Sequence, residues 1–523
     1  MQLTYLGHAG FCIETQKALL IMDPWLSSHG AFDAAWFQYP KNHDFANYVQ
    51  QLLSCSKKDN YIYISHEHRD HFDIDFLQSL SIRNFTFLLA DFSYPSIKME
   101  LENLHYVCQK IILLKDNEPL YLQDTEIRLF LVDTELNCDS AILIKHESYS
   151  FLNLNDCKIY DRLPNIVHEH GNVDILTAQF SGASWHPTCY QMPLAQYEEI
   201  CINKITNKFS TIANVIQSIQ PKIYFPSAGP VCFLDPLLQH IHLQPINAYP
   251  RAPQLLAYLR KYHHDLLSTT QYLEIFPGDK INFATLILQQ SLINRVAEEN
   301  FSQYLINYAQ EYTELFSQRT QENQCIDSQD VFAQLYIALE HKVAQLTALN
   351  QQVKTLLYWQ LEEIPEKMIC VDLANKCLKI SNTIADINNY YRITTAAWQV
   401  NKVLNGAITW SDFALLLRVT IERVPDVYDT ILHGFLILDI NKIRSFCKKM
   451  ASIDAQTERI TIAVHGKQYS IARYCPHQGA DLSQGYLDGS CWVCPVHQWR
   501  FDLNHSGQCT KNLTTINSIR VFA

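Results

Sequence analysis

The stretch Ile64-Ser65-His66-Glu67-His68-Arg69-Asp70-His71-Phe72 places three histidines and an aspartate within six positions, directly after the apolar run Tyr61-Ile62-Tyr63-Ile64. Such a run reads as a strand. If the chain stays extended, His66 and His68 point to one side of it, because side chains in a strand alternate with a period of two. Asp70 and His71 follow where the chain turns. Imidazole and carboxylate groups at this spacing are metal ligands. The stretch therefore predicts a strand-end loop that holds two metal ions, one on His66 and His68 and the other on Asp70 and His71. It limits the chain to folds that collect strand ends at one edge.

The surrounding pattern agrees. Residues 1 to about 150 alternate short apolar runs with turn residues ("LTYLGHAGFCIE", "ALLIMD", "FTFLLA", "IRLFLVD", "AILIKH"), helical stretches fall between some of them, and "VDILTAQF" and "KIYFPSAG" continue the series to about residue 230. This predicts a mixed α/β domain with ligands at strand ends. From about 290 the periodicity becomes helical, as in "SLINRVAEENFSQYLINYAQEYTELFSQ" and "DVFAQLYIALEHKVAQLTALNQQVKTLLYWQLEEI". "KMICVDLANKCLKIS" reads as a hairpin turning near Asn375, "ITWSDFALLLRVTIERVPDVYDTILHGFLI" as further helix, and the last 85 or so residues as short strands. The expected domains are 1–290, a mainly helical middle at 291–433, and a small all-β domain at 434–523. A chain of 523 residues is too long for a single core, and 48% apolar residues suffice for several.

The formal charge of −12 and the lack of a Lys/Arg cluster argue against nucleic acid and anionic membrane as main partners. A basic electron-donor protein, or a cationic pocket inside an acidic shell, stays compatible. No apolar run reaches 18 residues, and "MQLTYLGHAGFCIE" has neither a basic leader region nor a cleavage site, so a cytoplasmic protein is expected. The 16 cysteines are scattered, which favours reduced thiols over a disulfide framework.

Two of those cysteines have another use. "YCPHQGADLSQGYLDGSCWVCPVHQWRFD" contains Cys475-x-His477, sixteen intervening residues, then Cys494-x-x-His497. Two Cys and two His so spaced resemble the Rieske [2Fe–2S] pattern, in which the cysteines hold one iron and the histidines the other. The rival reading is a structural zinc site on the same four residues; the proline after each cysteine and the Gly479 turn fit the Rieske arrangement better.

The 64–72 loop resembles that of the metallo-β-lactamase fold, an αββα sandwich whose usual chemistry is zinc-dependent hydrolysis. A one-electron carrier in the same chain points instead to redox chemistry. Asp156 in "FLNLNDC" is the candidate bridging carboxylate, Asp23 in "LLIMDPW" supports the loop without binding metal, and His8 in "LGHAGF" is expected behind the ligands. Third ligands are sought at Glu135 and Asp235, with His186, His240 and His242 as competitors. His66, His68, Asp70, His71, Glu135, Asp156 and Asp235 together would be rich in hard oxygen donors, which favours iron or manganese over zinc.

The chain further resembles the CMP-N-acetylneuraminate hydroxylase family. "LTYLGHAGFCIE", "IMDPWLSSHGAF", "YIYISHEHRDHF", "FLNLNDC", "FSGASW", "QPKIYFPSAG" and "ITWSDFALLLRVTIERVPDVYDTIL" look like that family's segments in the same order and span most of residues 1 to 435. The resemblance implies iron ligands at His66, His68, Asp70, His71 and Asp156, and cluster ligands at Cys475, His477, Cys494 and His497. It also implies O₂, a small-molecule substrate, one or two non-haem irons, and an external reductase with a ferredoxin or b-type cytochrome; a homo-oligomer is allowed. Two departures stand out: the Rieske segment is C-terminal here, whereas the animal enzymes carry it at the N-terminus, and carboxylates at 135 and 235 replace the family's histidines. The expected function is a Rieske-coupled non-haem iron oxygenase acting on a small polar metabolite, such as an N-acyl or amino-sugar-related compound. The alternatives are a dinuclear metal hydrolase with a redox-sensing Rieske domain, and an O₂ reductase that needs no organic substrate.

Overall fold

The computed structural model describes residues 1–104, 110–293, 295–347, 353–510, 512 and 514–521. The chain divides into two compact units, one of Met1–Asp133, Asn137–Ser184 and Glu198–Phe316, the other of Thr134–Leu136, Trp185–Tyr197 and Ser317–Ala523.

Two sheets make the centre of the first unit. One has eight strands in the order Ile287–Gln289, Lys280–Asn282, Gln2–Gly7, Gly10–Glu14, Ala18–Met22, Asp59–Ile64, Thr86–Ala90 and Lys110–Leu114. The other has seven, in the order Gln271–Tyr272, Ile223–Ser227, Ile175–Gln179, Tyr149–Asn153, Cys138–His146, Thr125–Asp133 and Leu120–Leu122. Central strands such as Ala18–Met22 and Ile223–Ser227 are buried along their whole length, which is why they read as unbroken apolar runs and not as alternating ones. Side chains from both sheets meet in one core, where Phe11, Leu20 and Tyr63 pack with Ile142, Phe151 and Phe225. The outer face of the first sheet is covered by the helices Phe45–Cys55, Ile74–Ser79 and Ser96–Asn103, and that of the second by Leu163–His170, Leu194–Ile219 and Ala252–Tyr262. This is the expected αββα sandwich.

The second unit departs in one respect from the helical reading of the middle region. Helices are present at Ser328–Val343, Ala397–Leu404 and Trp410–Leu415. Between them runs a five-stranded sheet in the order Cys377–Ser381, Met368–Asp372, Leu356–Leu361, Tyr390–Thr395 and Thr420–Val424. "LLYWQL" and "TIERV", read as helix, are strands of that sheet: short apolar runs satisfy either period, and pairing with Tyr390–Thr395 decides. The hairpin of Met368–Asp372 with Cys377–Ser381 turns at 373–376. The end of the chain forms two small antiparallel sheets, Arg459–Val464 with Lys467–Ala472 and Ile519–Val521, and Tyr486–Asp488 with Cys491–Val493, Arg500–Asp502 and Gln508–Cys509. Among the described residues, no helix is long and apolar enough to cross a membrane.

Candidate metal centres

The loop after Asp59–Ile64 sits at an edge where several strands end, so side chains distant in sequence converge on it. His66 Nε2 lies 2.9 Å from His68 Nδ1, and these two with Asp156, which follows the strand Tyr149–Asn153, form one group able to hold a cation. His8, Asp70 and His71 form a second, with His8 Nε2 3.0 Å from Asp70 Oδ2. Asp156 Oδ1 is 3.6 Å from His71 Nε2, so this carboxylate reaches from the first group toward the second.

The groups behind the ligands fix their orientation. The Asp23 carboxylate accepts from the Ser65 N–H at 2.8 Å and the Ser65 hydroxyl at 2.6 Å, and lies 2.8 Å from His71 Nδ1. Ser65 Oγ is also 2.9 Å from His66 Nδ1, and Asp139 Oδ1 stands 3.3 Å from the same nitrogen. A carboxylate or hydroxyl on one ring nitrogen leaves the other facing inward, the usual support of a metal-bound histidine. Charge follows the geometry. Burial opposes protonation of His71, but Asp70, the hydrogen bond to Asp23 and then Asp156 overcome it and carry its pKa up to about 10. Burial likewise works against the Asp70 carboxylate, yet His71 and His8 hold it well below the usual range. Burial and the neighbouring His66 push His68 down to about 4.

Four buried atoms here, His8 Nδ1, Asp70 Oδ1, His71 Nε2 and Asp156 Oδ1, have no hydrogen-bond partner. Buried polar atoms are rarely left so, and cations would satisfy them. Each group offers two imidazoles and one carboxylate, a ligand set that serves non-haem Fe(II) and also catalytic zinc. The residues present fit non-haem iron.

Glu135 and Asp235, expected as third ligands, are in neither of these groups among the described residues. The Asp235 carboxylate accepts the Leu237 N–H at 3.0 Å, and its carbonyl accepts from Leu238 and Gln239, so it closes a tight turn. Glu135 lies on the segment 134–136, which clusters with the second unit. Of the competitors, His186 pairs with Asp426 at 3.5 Å, and His242 Nε2 accepts the Phe233 N–H at 3.1 Å. His8, expected behind the ligands, is instead in the second group, and Asp139 carries no signal in the sequence that marks it. Gly7 explains His8: it has φ +108°, and a Cβ there would meet Asn42 Nδ2 at 2.6 Å, so only glycine makes the turn that carries His8 over the loop. His8, Asp23, Asn155 and Ala228, all at this edge, also have positive φ (51°, 39°, 49° and 49°). Non-glycine residues seldom adopt that conformation, and they gather at functional sites.

The Cys/His set comes together in the second unit on two loops of matching geometry. The N–H of Gly479 donates to the Cys475 carbonyl at 2.8 Å, and that of Gln498 to the Cys494 carbonyl at 3.1 Å. Both donors have positive φ, +80° at Gly479 and 60° at Gln498. The His477 and His497 rings are 4.6 Å apart, and His477 stacks on Trp499 at 4.3 Å. Burial and the neighbouring Cys494 thiol push the Cys475 thiol up, so a bound cation is what would make the pair thiolate.

Comparison with known proteins defines the class. Residues 2–228 match the β-lactamase superfamily domain and residues 438–523 the Rieske [2Fe–2S] domain. The chain is thus a metallo-β-lactamase-fold domain followed by a C-terminal Rieske domain, which implies a [2Fe–2S] cluster. A Mycobacterium tuberculosis protein named for a Rieske 2Fe-2S iron-sulfur centre is 26% identical over 524 residues, 97% of this chain and 98% of its own. The cytidine monophosphate-N-acetylneuraminic acid hydroxylase of Danio rerio is 25% identical over 300 residues, 55% of this chain and 47% of that one. The solved CmlA, a diiron β-hydroxylase from Streptomyces venezuelae, overlays 52% of each chain at 17% identity with a TM-score of 0.34, a likeness too slight to bear on activity.

Proposed function

We propose that this chain is a Rieske-coupled non-haem iron oxygenase that hydroxylates a small polar metabolite, of the N-acyl or amino-sugar-related kind, with O₂ and an external one-electron donor. The observation that supports it is one polypeptide carrying two groups of two histidines and one aspartate together with a Rieske ligand set. The similarity to the hydroxylase of Danio rerio favours the same reading. When bound, the irons supply O₂ activation and the cluster supplies electrons one at a time. In this reading His66, His68 and Asp156 hold one iron, His8, Asp70 and His71 the other, and Cys475, His477, Cys494 and His497 hold the cluster. Asp23, Ser65 and Asp139 keep the ring nitrogens of His66 and His71 aimed at the metals.

The test is metal analysis of anaerobically purified protein with EPR of its dithionite-reduced form. The expected result is about two cluster irons per chain with a Rieske signal, plus further iron that falls on His8→Ala and is unchanged on Asp235→Asn or Glu135→Ala. Product should form only with O₂ and reductant. Zinc at the His/Asp groups, with turnover of an ester or phosphodiester in the absence of O₂, would move the chain to the hydrolases.

A further inference from the structure

At the same edge of the first unit the structure gathers three lysines, in a chain of net charge −12. Lys158 follows Asp156 by two residues. Lys204 and Lys208 lie one turn apart on one face of the helix Leu194–Ile219. Lys208 Nζ donates to Gln179 Oε1 at 3.2 Å and Lys204 Nζ to Ser184 Oγ at 2.6 Å, so both hold the Gln179–Ser184 loop at the end of the strand Ile175–Gln179. Burial and then Lys158 draw the Lys208 pKa down to about 7; Asp156 pulls the other way and Lys204 adds to the fall. Lys158, Asp156 and Lys204 are therefore each within electrostatic reach of Lys208.

All three lysines are partly exposed, and an ammonium partly withdrawn from water is ordinarily matched by a carboxylate, because desolvating an unpaired charge is costly. Among the described residues, Lys158 and Lys208 have no ion-pair partner. The one carboxylate acting on Lys208, Asp156, also faces the metal groups. Like charges at i and i+4 repel as well. An arrangement that is unfavourable empty becomes favourable once a dianion or carboxylate enters it.

We infer that Lys158, Lys204 and Lys208 form a subsite for an oxyanion of the substrate, a carboxylate or a phosphate, held beside Asp156 so that the rest of the molecule extends over the metal groups. That the anion belongs to a substrate rests on the oxygenase reading; the anion site itself rests on the lysines. Three cations converging on one edge select anionic metabolites, and the neutral Gln179 and Ser184 contacts fix where the ammonium groups stand.

The test is calorimetric titration of the full chain, cluster in place, at about pH 6, where the Lys208 amine is charged. Methyl phosphate and acetate serve as separate probes, with the His/Asp groups metal-loaded and after their metals are removed. Saturable binding of one anion per chain is expected for at least one probe, metal or no metal, and the tighter probe identifies the anion as phosphate or carboxylate. The double substitution Lys158→Gln/Lys208→Met should weaken it at least tenfold while circular dichroism and the cluster spectrum stay unchanged. Lys204→Gln, a single change, provides a second measure should the double variant not fold. Absence of saturable binding, equal affinity in the variants, or binding that vanishes with the metal would each overturn the assignment. The metal content and O₂ dependence that decide the oxygenase reading do not enter this titration.

Discussion

Lys342 shows how far a single buried charge can be read. It is 1% exposed, its Nζ lies 4.0 Å from the centre of the Trp410 ring and 3.3 Å from the Leu436 carbonyl oxygen, and burial, only partly opposed by Asp439, lowers its pKa to about 7. Between that value and the ordinary lysine range the unfolded chain binds the proton more tightly than the folded one, so stability rises with pH over this interval. A tenfold difference in proton affinity between the two states corresponds to about 1.4 kcal/mol, which places the full effect at a few kcal/mol. Lys342→Met should raise the denaturation midpoint at about pH 6 and flatten its pH dependence; a midpoint that in the variant still climbs between neutral pH and about pH 10 would remove Lys342 as the cause. Legibility in the sequence divides at this scale. His66, His68, Asp70 and His71 stand in one loop and announce themselves by spacing. His8 comes from a turn between the first two strands, and sheet register alone brings it over that loop. Glu135 and Asp235 are sought as further ligands from their place in the sequence, but nothing there signals that the segment 134–136 clusters with the second unit or that the Asp235 carboxylate accepts the Leu237 N–H.

The element that holds the metal loop in place is the short helix Ile74–Ser79. Its N-cap, Asp73, is buried, and its carboxylate accepts from Phe76 N–H at 2.9 Å, Leu26 N–H at 2.9 Å and Ser27 N–H at 2.7 Å. One side chain thus caps the helix and pins the loop that follows the strand Ala18–Met22. Asp73→Ala leaves three backbone donors without a partner and should cost about 2–3 kcal/mol. A fall of about 5 °C or more in the thermal transition of the first unit is expected, with the Rieske EPR signal unaltered; an unchanged transition would mean that water replaces the carboxylate at no cost. Elements are most legible where periodicity is long, as in Ser328–Val343, or where buried strands run as apolar blocks. The strands Leu356–Leu361 and Thr420–Val424 are not, because six and five residues fit a helix as well as a strand, and only their partner Tyr390–Thr395, distant in sequence, settles the matter.

At the scale of the whole chain, the cluster ligands and the His/Asp groups lie in different compact units. Cys494→Ser should therefore abolish the Rieske signal and the cluster iron while leaving the remaining iron in place, as read by metal analysis of the purified variant. Loss of both together would show that one centre is needed to build the other. The αββα domain and the Rieske domain are legible because each rests on a compact local motif; the anion-binding lysines are not, since Lys158, Lys204 and Lys208 come from two separated segments with no shared pattern. The left-handed residues around the metal edge bear on evolutionary drift. At His8, Asp23, Asn155 and Ala228 the backbone rejects most side chains before any chemistry is tested, β-branched ones above all. Neutral variation along this rim should be confined to Gly, Asn, Asp and a few small neighbours, even at Ala228, whose methyl side chain cannot bind a metal. New specificities would then arise from the flanking loops and the lysine-bearing helix, while the rim stays nearly fixed.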